Sequence, residues 1–279
     1  MGEAQFGFCL NTSTIRCGEL SLEEKLAVTA EAGYDGIEPW VSELDEFAAG
    51  GGDLADLRKR TRDSGLEIVN LIGFFNWATE NDADRTEGIA EARRAFAMAQ
   101  TVGCKFVAAP PWGLTDVTGM DLFGIAKRYG ELIDIGAEYG VMPLLEYWGH
   151  SKTLGKLGEG LLVAGECGRS EALILADTFH TYKGSGTIAG LELLGPNVLG
   201  LLHINDYPGE PATDVIADAE RVYPGDGIAP LAELLGSLAR AGYEGMLSVE
   251  LFNREYWAQD ALTVAKTGLE KTRAIVAEA

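Results

Sequence analysis

Basic residues and histidines are scarce in this sequence, and that scarcity excludes one broad class of partner. The chain has 22 lysines and arginines against 43 aspartates and glutamates, a formal net charge of −21, and only three histidines. Such a chain repels a phosphate backbone and offers no basic stripe to bind one, so we expect no nucleic-acid partner. The acidic excess is that of a well-solvated surface, with attraction of cations as a local addition.

The sequence also lacks clustered cysteines and long apolar runs. Its cysteines, Cys9, Cys17, Cys104 and Cys167, are widely spaced and form no Cys-x-x-Cys pair, which favours a reducing compartment. No apolar run approaches the roughly 18 residues needed to span a bilayer. Residues 1–8 contain neither the basic segment nor the long apolar segment of a signal peptide. We therefore predict a cytoplasmic protein with no membrane partner.

A recurring unit organises what is present: an amphipathic helix, then a glycine, then an apolar strand. Glycine just past a helix supplies the left-handed residue that ends it. The unit recurs at Gly33, Gly65, Gly103, Gly140 and Gly242. Strands joined by helical crossovers run parallel, and eight of them close into a barrel of about 250 residues. The 279 residues are therefore predicted to form one (βα)8 TIM-barrel domain, residues 1–279.

The predicted elements follow this period along the whole chain. Strands are expected at residues 6–10, 34–39, 66–72, 104–109, 141–146, 172–177, 199–203 and 246–250. Helices are expected at residues 21–33, with a capping box at Ser21 and Glu24, and at 53–64, 84–102, 119–139, 154–165, 187–194, 228–241 and 256–277. Residues 205–227, rich in proline, glycine and aspartate, are predicted to form a lid or substrate loop after the seventh strand.

Four successive apolar strands end on residues that bear chemistry, namely Glu146, Asp177, His203 and Glu250. In such barrels the active site lies at the carboxyl ends of the strands, so these side chains should share one rim. One such residue alone is usually a satisfied structural group. Converging carboxylates repel unless one is protonated or a cation lies between them. Three carboxylates and one imidazole suit Mn²⁺ or Mg²⁺, with Co²⁺ or Zn²⁺ also able to bind.

Five further side chains are candidates beside that cluster. His180, three residues after Asp177, either supports the site or binds a substrate hydroxyl, whereas His150 is expected to be structural. Arg221 is either a surface arginine or a guanidinium that stabilises an anionic intermediate. Trp112 and Phe252 either pack in the core or line a substrate ring.

Five motifs give the chain a resemblance to the xylose-isomerase-like sugar isomerase and epimerase superfamily, and within it to inosose isomerases. They are LLEYWGH, ADTFHTYKGSG, LLHINDYPGE, ERVYPGDG and LSVELFNREYW, and the likeness extends from about residue 5 to the C-terminus. The resemblance implies that the four strand-end residues are metal ligands, that both glutamates also act as acid and base, and that His180 and Arg221 contact substrate oxygens. One departure bears on substrate identity: residues 181–183 read Thr-Tyr-Lys, where a further histidine is expected.

The expected activity is metal-dependent isomerisation of a hydroxy-ketone sugar or an inosose, through a cis-enediolate. Ketose 3-epimerases and inosose dehydratases of the same superfamily remain alternatives, as does a non-catalytic sugar-binding barrel. An abasic-site endonuclease shares the barrel but needs more histidines and a basic face. A small-molecule substrate is thus the predicted partner, and the sequence leaves a homo-oligomer open.

Overall fold

The computed structural model describes residues 6–279 and contains eight β-strands. In chain order they are β1 Gly7–Asn11, β2 Gly36–Glu38, β3 Glu67–Ile68, β4 Phe106–Ala109, β5 Met142–Glu146, β6 Ile174–Asp177, β7 Leu199–Ile204 and β8 Met246–Val249. The first strand, predicted at residues 6–10, therefore begins and ends one residue later.

Helices separate these strands. They are α1 Leu22–Ala32, α2 Val41–Ala49, α3 Leu54–Asp63, α4 Asp82–Val102, α5 Leu122–Ala137, α6 Leu157–Glu166, α7 Thr178–Ser185, α8 Leu231–Arg240, α9 Arg254–Trp257 and α10 Ala261–Glu278. Shorter 3-10 turns lie at Thr12–Ile15, Ala189–Leu193 and Asp218–Glu220. Within residues 6–279, no helix is both long enough and apolar enough to cross a bilayer.

All strand pairings are parallel, and the sheet closes on itself. The order is β3-β2-β1-β8-β7-β6-β5-β4, and a parallel bridge between Leu71 and Val107 joins its two edges. The amide of Leu71 donates to the carbonyl of Phe106 at 3.1 Å, and the amide of Ala108 donates to the carbonyl of Leu71 at 2.9 Å. The predicted (βα)8 TIM barrel is confirmed.

Local signals account for the ends of several helices. The predicted capping box is present, since Ser21 Oγ accepts from the Glu24 amide and the Glu24 carboxylate accepts from the Ser21 amide. The glycines expected to end helices all have positive φ, with Gly33 at 90° and Gly103 at 77° as examples. Glycine adopts this left-handed conformation without strain, so each helix can end there and the chain can enter the next strand directly.

The interior of the barrel is filled by a small apolar cluster below the strand ends. Cys9, Ala108, Leu144, Leu175 and Leu201 belong to it, each from a different strand. Cys9 and Cys104 are buried free thiols, which is usual for cysteines in apolar surroundings. A larger apolar cluster packs the helices around the outside of the sheet. The polar strand ends therefore lie on a rigid apolar base.

Three helical predictions were wrong in detail, and each error has a local cause. The helix after β6 begins at Thr178, not at residue 187, because the Asp177 carboxylate caps it by accepting from the His180 amide. The final helix is divided into α9 and α10, because Asp260 caps a new start. Helix α2 was missed because it begins directly after Pro39 and Trp40, with no Ser, Thr, Asp or Asn at its N-cap.

The packing of α4 predicts opposite effects for two glycine substitutions. A Cβ added at Gly88, in the middle of α4, would lie 2.5 Å from the backbone oxygen of Asn76, whereas one at Gly165 in α6 would meet nothing within 4 Å. Gly88→Ala should destabilise the fold by about 1–3 kcal/mol through overpacking. Gly165→Ala should stabilise it by about 0.5–1 kcal/mol, because alanine favours helix. Denaturant unfolding of both variants tests the prediction, and equal effects would contradict it.

Candidate functional site

The sheet brings the four strand-end residues to one rim. Glu146 and Asp177 are the last residues of β5 and β6, His203 lies near the end of β7, and Glu250 directly follows β8. Asp177 is paired with His203 across neighbouring strands. All four are buried, with at most 5% of any of them exposed. Buried charged groups require partners, so their contacts define the site.

Three of the four come close enough to share one ion. Ligand atoms of Asp177, His203 and Glu250 all lie within 4.8 Å of one another. His203 Nδ1 is 3.1 Å from a Glu250 oxygen and 3.7 Å from an Asp177 oxygen. This nitrogen is buried and has no aligned hydrogen-bond partner among residues 6–279. An imidazole nitrogen left free between two carboxylates suits a divalent ion, so this group can hold a metal. Glu146 lies beside the group rather than within it.

Arg221 reaches the same oxygens from the long loop after β7. Its Nη1 donates to Asp177 and to Glu250, each at 2.8 Å. Its Nη2 lies 3.1 Å from His180 Nε2. Its Nε donates a hydrogen bond to the Asp218 carboxylate. The side chain is completely buried. The guanidinium therefore neutralises part of the repulsion that the sequence predicted among the carboxylates.

Burial and neighbouring charges set the protonation of this cluster. Burial raises the pKa of Glu146 to about 8, with the charges on Glu250 and Asp177 adding to the effect. Burial also opposes ionisation of Asp177, but the Arg221 guanidinium that donates to it outweighs burial and holds the pKa of Asp177 below its usual range. Glu146 thus carries a proton near neutral pH in the metal-free site, whereas Asp177 is ionised.

The two histidines of the site are tuned in opposite directions. Burial opposes a charge on His203, but the carboxylates of Glu250 and Glu38 outweigh it and raise the pKa of His203. Burial lowers the pKa of His180 to about 4, so this ring is neutral at pH 7. Since Arg221 can only donate, His180 Nε2 is the acceptor and Nδ1 carries the hydrogen. The buried Nδ1 of His180 has no hydrogen-bond partner among residues 6–279.

Sequence reasoning missed Glu38, the completely buried carboxylate that ends β2. One of its oxygens accepts from Asn70 at 2.7 Å and faces His203 Nε2 at 2.9 Å. The other accepts from Asn11 at 2.8 Å and from Ser248 at 2.7 Å. Because Glu38 accepts the Nε2 hydrogen, it fixes the orientation of the His203 ring. As a result, the Nδ1 of His203 faces the carboxylates of Asp177 and Glu250.

A signal for Glu38 was present in the sequence. The segment AGYDGIE, ending at Glu38, has the same form as AGYEGMLSVE, ending at Glu250: a helix end, then an apolar strand closed by glutamate. The two segments share the architectural period of the barrel. Glu38 therefore has the same sequence signature as Glu250, an apolar strand that ends on a glutamate.

Aromatic side chains that follow β2, β3, β4, β5 and β8 form a continuous surface that we call the aromatic wall. It consists of Trp40, Phe74, Trp112, Trp148 and Phe252. Neighbouring rings are 5.0 to 6.4 Å apart between centroids. Phe252 also stands 5.2 Å from the Arg221 guanidinium carbon, and Trp112 is 45% exposed. Both aromatic candidates from the sequence thus lie on this rim.

His150 lies at the outer side of the aromatic wall. It is stacked on Trp148 at 5.4 Å and lies 5.7 Å from the ring of His180. It is exposed, and its structural role stays a prediction. The ring of His180 lies closer to the charged cluster, because it contacts Arg221.

The network around Glu38 predicts that its charge stabilises the fold. In Glu38→Gln, an amide group would replace an oxygen that now accepts from two donors. We expect the free energy of unfolding to fall by about 1–3 kcal/mol, the cost of buried unsatisfied polar groups. Glu67, exposed on the neighbouring strand, provides the matched control, and Glu67→Gln should change stability by less than about 0.5 kcal/mol. Equal denaturation midpoints for the two variants would contradict the role of Glu38.

Comparison with known proteins agrees with this architecture. Residues 26–275 match the family described as xylose isomerase-like TIM barrel. The chain is 29% identical over 280 residues to inosose isomerase of Bacillus velezensis, covering 97% of both chains. It is 28% identical over 268 residues to 3-dehydroshikimate dehydratase of Pseudomonas aeruginosa, covering 91% of this chain and 40% of that protein. The crystal structure of the IolI protein with a zinc atom bound superimposes with a TM-score of 0.89 and 25% identity, covering 98% of this chain and 99% of that one. The chain belongs to the xylose isomerase-like TIM-barrel family.

Proposed function

We propose that this protein is a divalent-metal-dependent isomerase of a polyhydroxy-ketone, with an inosose as the first candidate substrate. The observation that carries the proposal is the unpartnered His203 Nδ1 beside the carboxylates of Asp177 and Glu250. The match to an inosose isomerase along 97% of the chain supports the choice of substrate. The zinc atom in the IolI structure supports a metal at this rim.

The proposed ligands are Asp177, His203 and Glu250, with Glu146 as the fourth. Three oxygens and one nitrogen favour Mn²⁺ or Mg²⁺, and the same set accepts Zn²⁺ or Co²⁺. When bound, the ion would polarise the substrate carbonyl and make the neighbouring C–H more acidic. Glu38 orients His203 for this role, because it accepts from Nε2 and leaves Nδ1 as the nitrogen that would bind the ion after releasing its proton.

The two glutamates are proposed to move the proton. Glu250, at the end of β8, takes the proton from the carbon beside the carbonyl, and an enediolate form of the substrate results. Glu146, at the end of β5, is proposed to assist as the second acid or base. The carbonyl moves, and the substrate is isomerised, if the carbon-bound proton returns to the former carbonyl carbon and the hydroxyl proton passes from the second oxygen to the first.

His180 and Arg221 are proposed to hold substrate oxygens. The hydrogen on His180 Nδ1 has no partner within the described chain, so it is free to donate to a hydroxyl or carbonyl oxygen. The Arg221 guanidinium, which already contacts both Asp177 and Glu250, adds positive charge where the enediolate would develop. Trp112 and Phe252 offer apolar faces to the carbon skeleton.

Two related reactions use the same first step. Epimerisation follows if the proton returns to the opposite face of the same carbon. The similarity to a 3-dehydroshikimate dehydratase makes dehydration a second possible reaction. Dehydration requires an acid that protonates the departing hydroxyl. His180 lies beside the charged cluster and could take that role only if protonated, but burial lowers its pKa to about 4, so it is neutral at pH 7. This observation favours isomerisation over dehydration.

We further propose that the chain acts as a single-domain cytoplasmic enzyme of carbohydrate metabolism, in inositol catabolism if inosose is the substrate. The eight strands form one closed sheet, which supports a single domain. All four cysteines are unpaired, which is typical of a reducing compartment.

Exchange of the substrate proton in deuterated water tests this function. With an inosose and Mn²⁺, proton NMR should show the signal of the carbon-bound hydrogen beside the carbonyl disappearing. Glu250→Gln should slow the loss by about 10²–10⁴-fold, because the base is removed while the shape of the site is kept. The identity of the product decides between isomer, epimer and dehydrated dione.

Glu255 supplies the matched control, since it is an exposed glutamate five residues further on, in α9. Glu255→Gln should exchange the proton as fast as the unmodified protein does. Melting curves for both variants exclude unfolding as the cause. Undiminished exchange in folded Glu250→Gln would show that the assignment of the base is wrong.

A further inference from the structure

We propose that Arg16 forms a subsite for a carboxylate group on the substrate, at the edge of the aromatic wall. The inference rests on the proposed function for its site, but it names a substrate class that the function leaves open: hydroxy-ketones that carry a carboxylate. Arg16 follows β1 and was not among the residues that the sequence motifs indicated.

The backbone that carries Arg16 is firmly fixed at the rim. It directly follows the 3-10 turn Thr12–Ile15, whose residues are all buried. The side chain of Thr14 donates to the carbonyl of Val249 at 2.8 Å, and Trp257 Nε1 donates to the carbonyl of Ser13 at 2.8 Å. These bonds attach the turn to β8 and α9. The arginine therefore extends from a rigid support rather than from a free loop.

Aromatic rings hold the guanidinium of Arg16 in place. Its central carbon lies 4.4 Å from the ring centre of Trp40, 5.7 Å from that of Phe252 and 5.8 Å from that of Trp257. A guanidinium interacts with an aromatic ring through its face, while its five N–H groups point outward in its plane. Stacking thus restricts the orientation of the group and leaves its donors available.

Arg16 has no anionic partner in the described part of the chain. No carboxylate oxygen lies within 4.0 Å of its nitrogens, and it makes no side-chain hydrogen bond there. The contrast with Arg221 is sharp, since that guanidinium is buried and contacts Asp177, Asp218 and Glu250. An exposed, ordered and unpaired cation in a chain of net charge −21 offers a binding site to an anion from outside.

The position of Arg16 relative to Arg221 places it within reach of a substrate. Both guanidinium carbons stand near the ring of Phe252, Arg221 at 5.2 Å and Arg16 at 5.7 Å from its centre. They can be no farther apart than these two distances together. This upper limit does not exceed what a substituted six-membered ring can bridge, so one substrate can contact both the charged cluster and Arg16.

The chemistry of the group selects a carboxylate. The planar fork of a guanidinium matches the two oxygens of a carboxylate, and such charge-assisted hydrogen bonds are stronger than neutral ones. A neutral polyol gains only ordinary hydrogen bonds from the same donors. Arg16 should therefore favour an anionic hydroxy-ketone over a neutral one of equal size, against the general repulsion that an acidic protein exerts on anions.

Calorimetric binding of an unreactive ligand pair tests the subsite. Quinate is a hydroxylated six-membered ring with a carboxylate, and its methyl ester has the same ring without the charge. The Mg²⁺-loaded protein should bind quinate more tightly than the ester. Arg16→Gln should weaken quinate binding about ten- to a hundredfold and remove the preference, because a charge-assisted hydrogen bond is lost. Arg16→Lys should restore part of it.

Arg254 provides the control for a change of net charge, since it is exposed on neighbouring α9. Arg254→Gln should keep the preference for quinate. The proposal is overturned if the unmodified protein shows no preference, if Arg16→Gln retains it, or if Arg254→Gln removes it equally. Because this assay needs no turnover, its outcome is independent of proton exchange in Glu250→Gln, and failure of the subsite is distinguishable from failure of the proposed function.

Discussion

The convergence of like charges at one end of the barrel is the constraint on which the rest of the structure depends. Parallel strands β6, β7 and β8 bring Asp177, His203 and Glu250 together without access to bulk water. Buried carboxylates at this spacing would repel strongly unless cations met them. Arg221 supplies one cation from within the chain, and His203 Nδ1, which has no aligned hydrogen-bond partner among residues 6–279, faces the same oxygens, where a divalent ion could bind.

The features that could be predicted from the sequence are those that depend on short segments of the chain. Apolar strands that stop at Glu146, Asp177 and His203 revealed both the barrel and one side of its rim. Contacts between distant segments were not available in the same way. Nothing local shows that Glu38 accepts from His203, 165 residues away, or that Arg221 turns inward to reach Asp177, 44 residues away.

The start of α7 illustrates the same limit at short range. Asp177 ends a strand and caps a helix at once, so the expected gap between strand and helix does not exist. As a result His180 lies in the first turn of α7, with its ring against Arg221. The spacing to Asp177 was enough to predict His180 as a site residue. Its neutral state could not be predicted, because it depends on burial and on Arg221 from another loop.

The rim thus has two parts with different physical characters. The charged cluster on β5 to β8 supplies proton transfer and ion binding in the proposed function. The aromatic wall follows β2 to β5 and β8, with Arg16 at its edge, and in the proposed function it would set shape and selectivity. Trp40, Phe74 and Trp112 lie on loops that carry none of the four proposed ligands. Substitutions at these three positions are therefore expected to change which hydroxy-ketone is accepted while the chemistry stays the same, as is common for this fold.

The most direct test of the central claim is the position of a bound ion. Anomalous diffraction recorded at the manganese absorption edge from crystals grown with Mn²⁺ should show one peak at the rim. The peak should lie about 2.0–2.3 Å from His203 Nδ1 and from oxygens of Asp177 and Glu250, with Glu146 beside it. Manganese found only at carboxylates on the outer surface, with Arg221 still joining Asp177 and Glu250, would contradict the account.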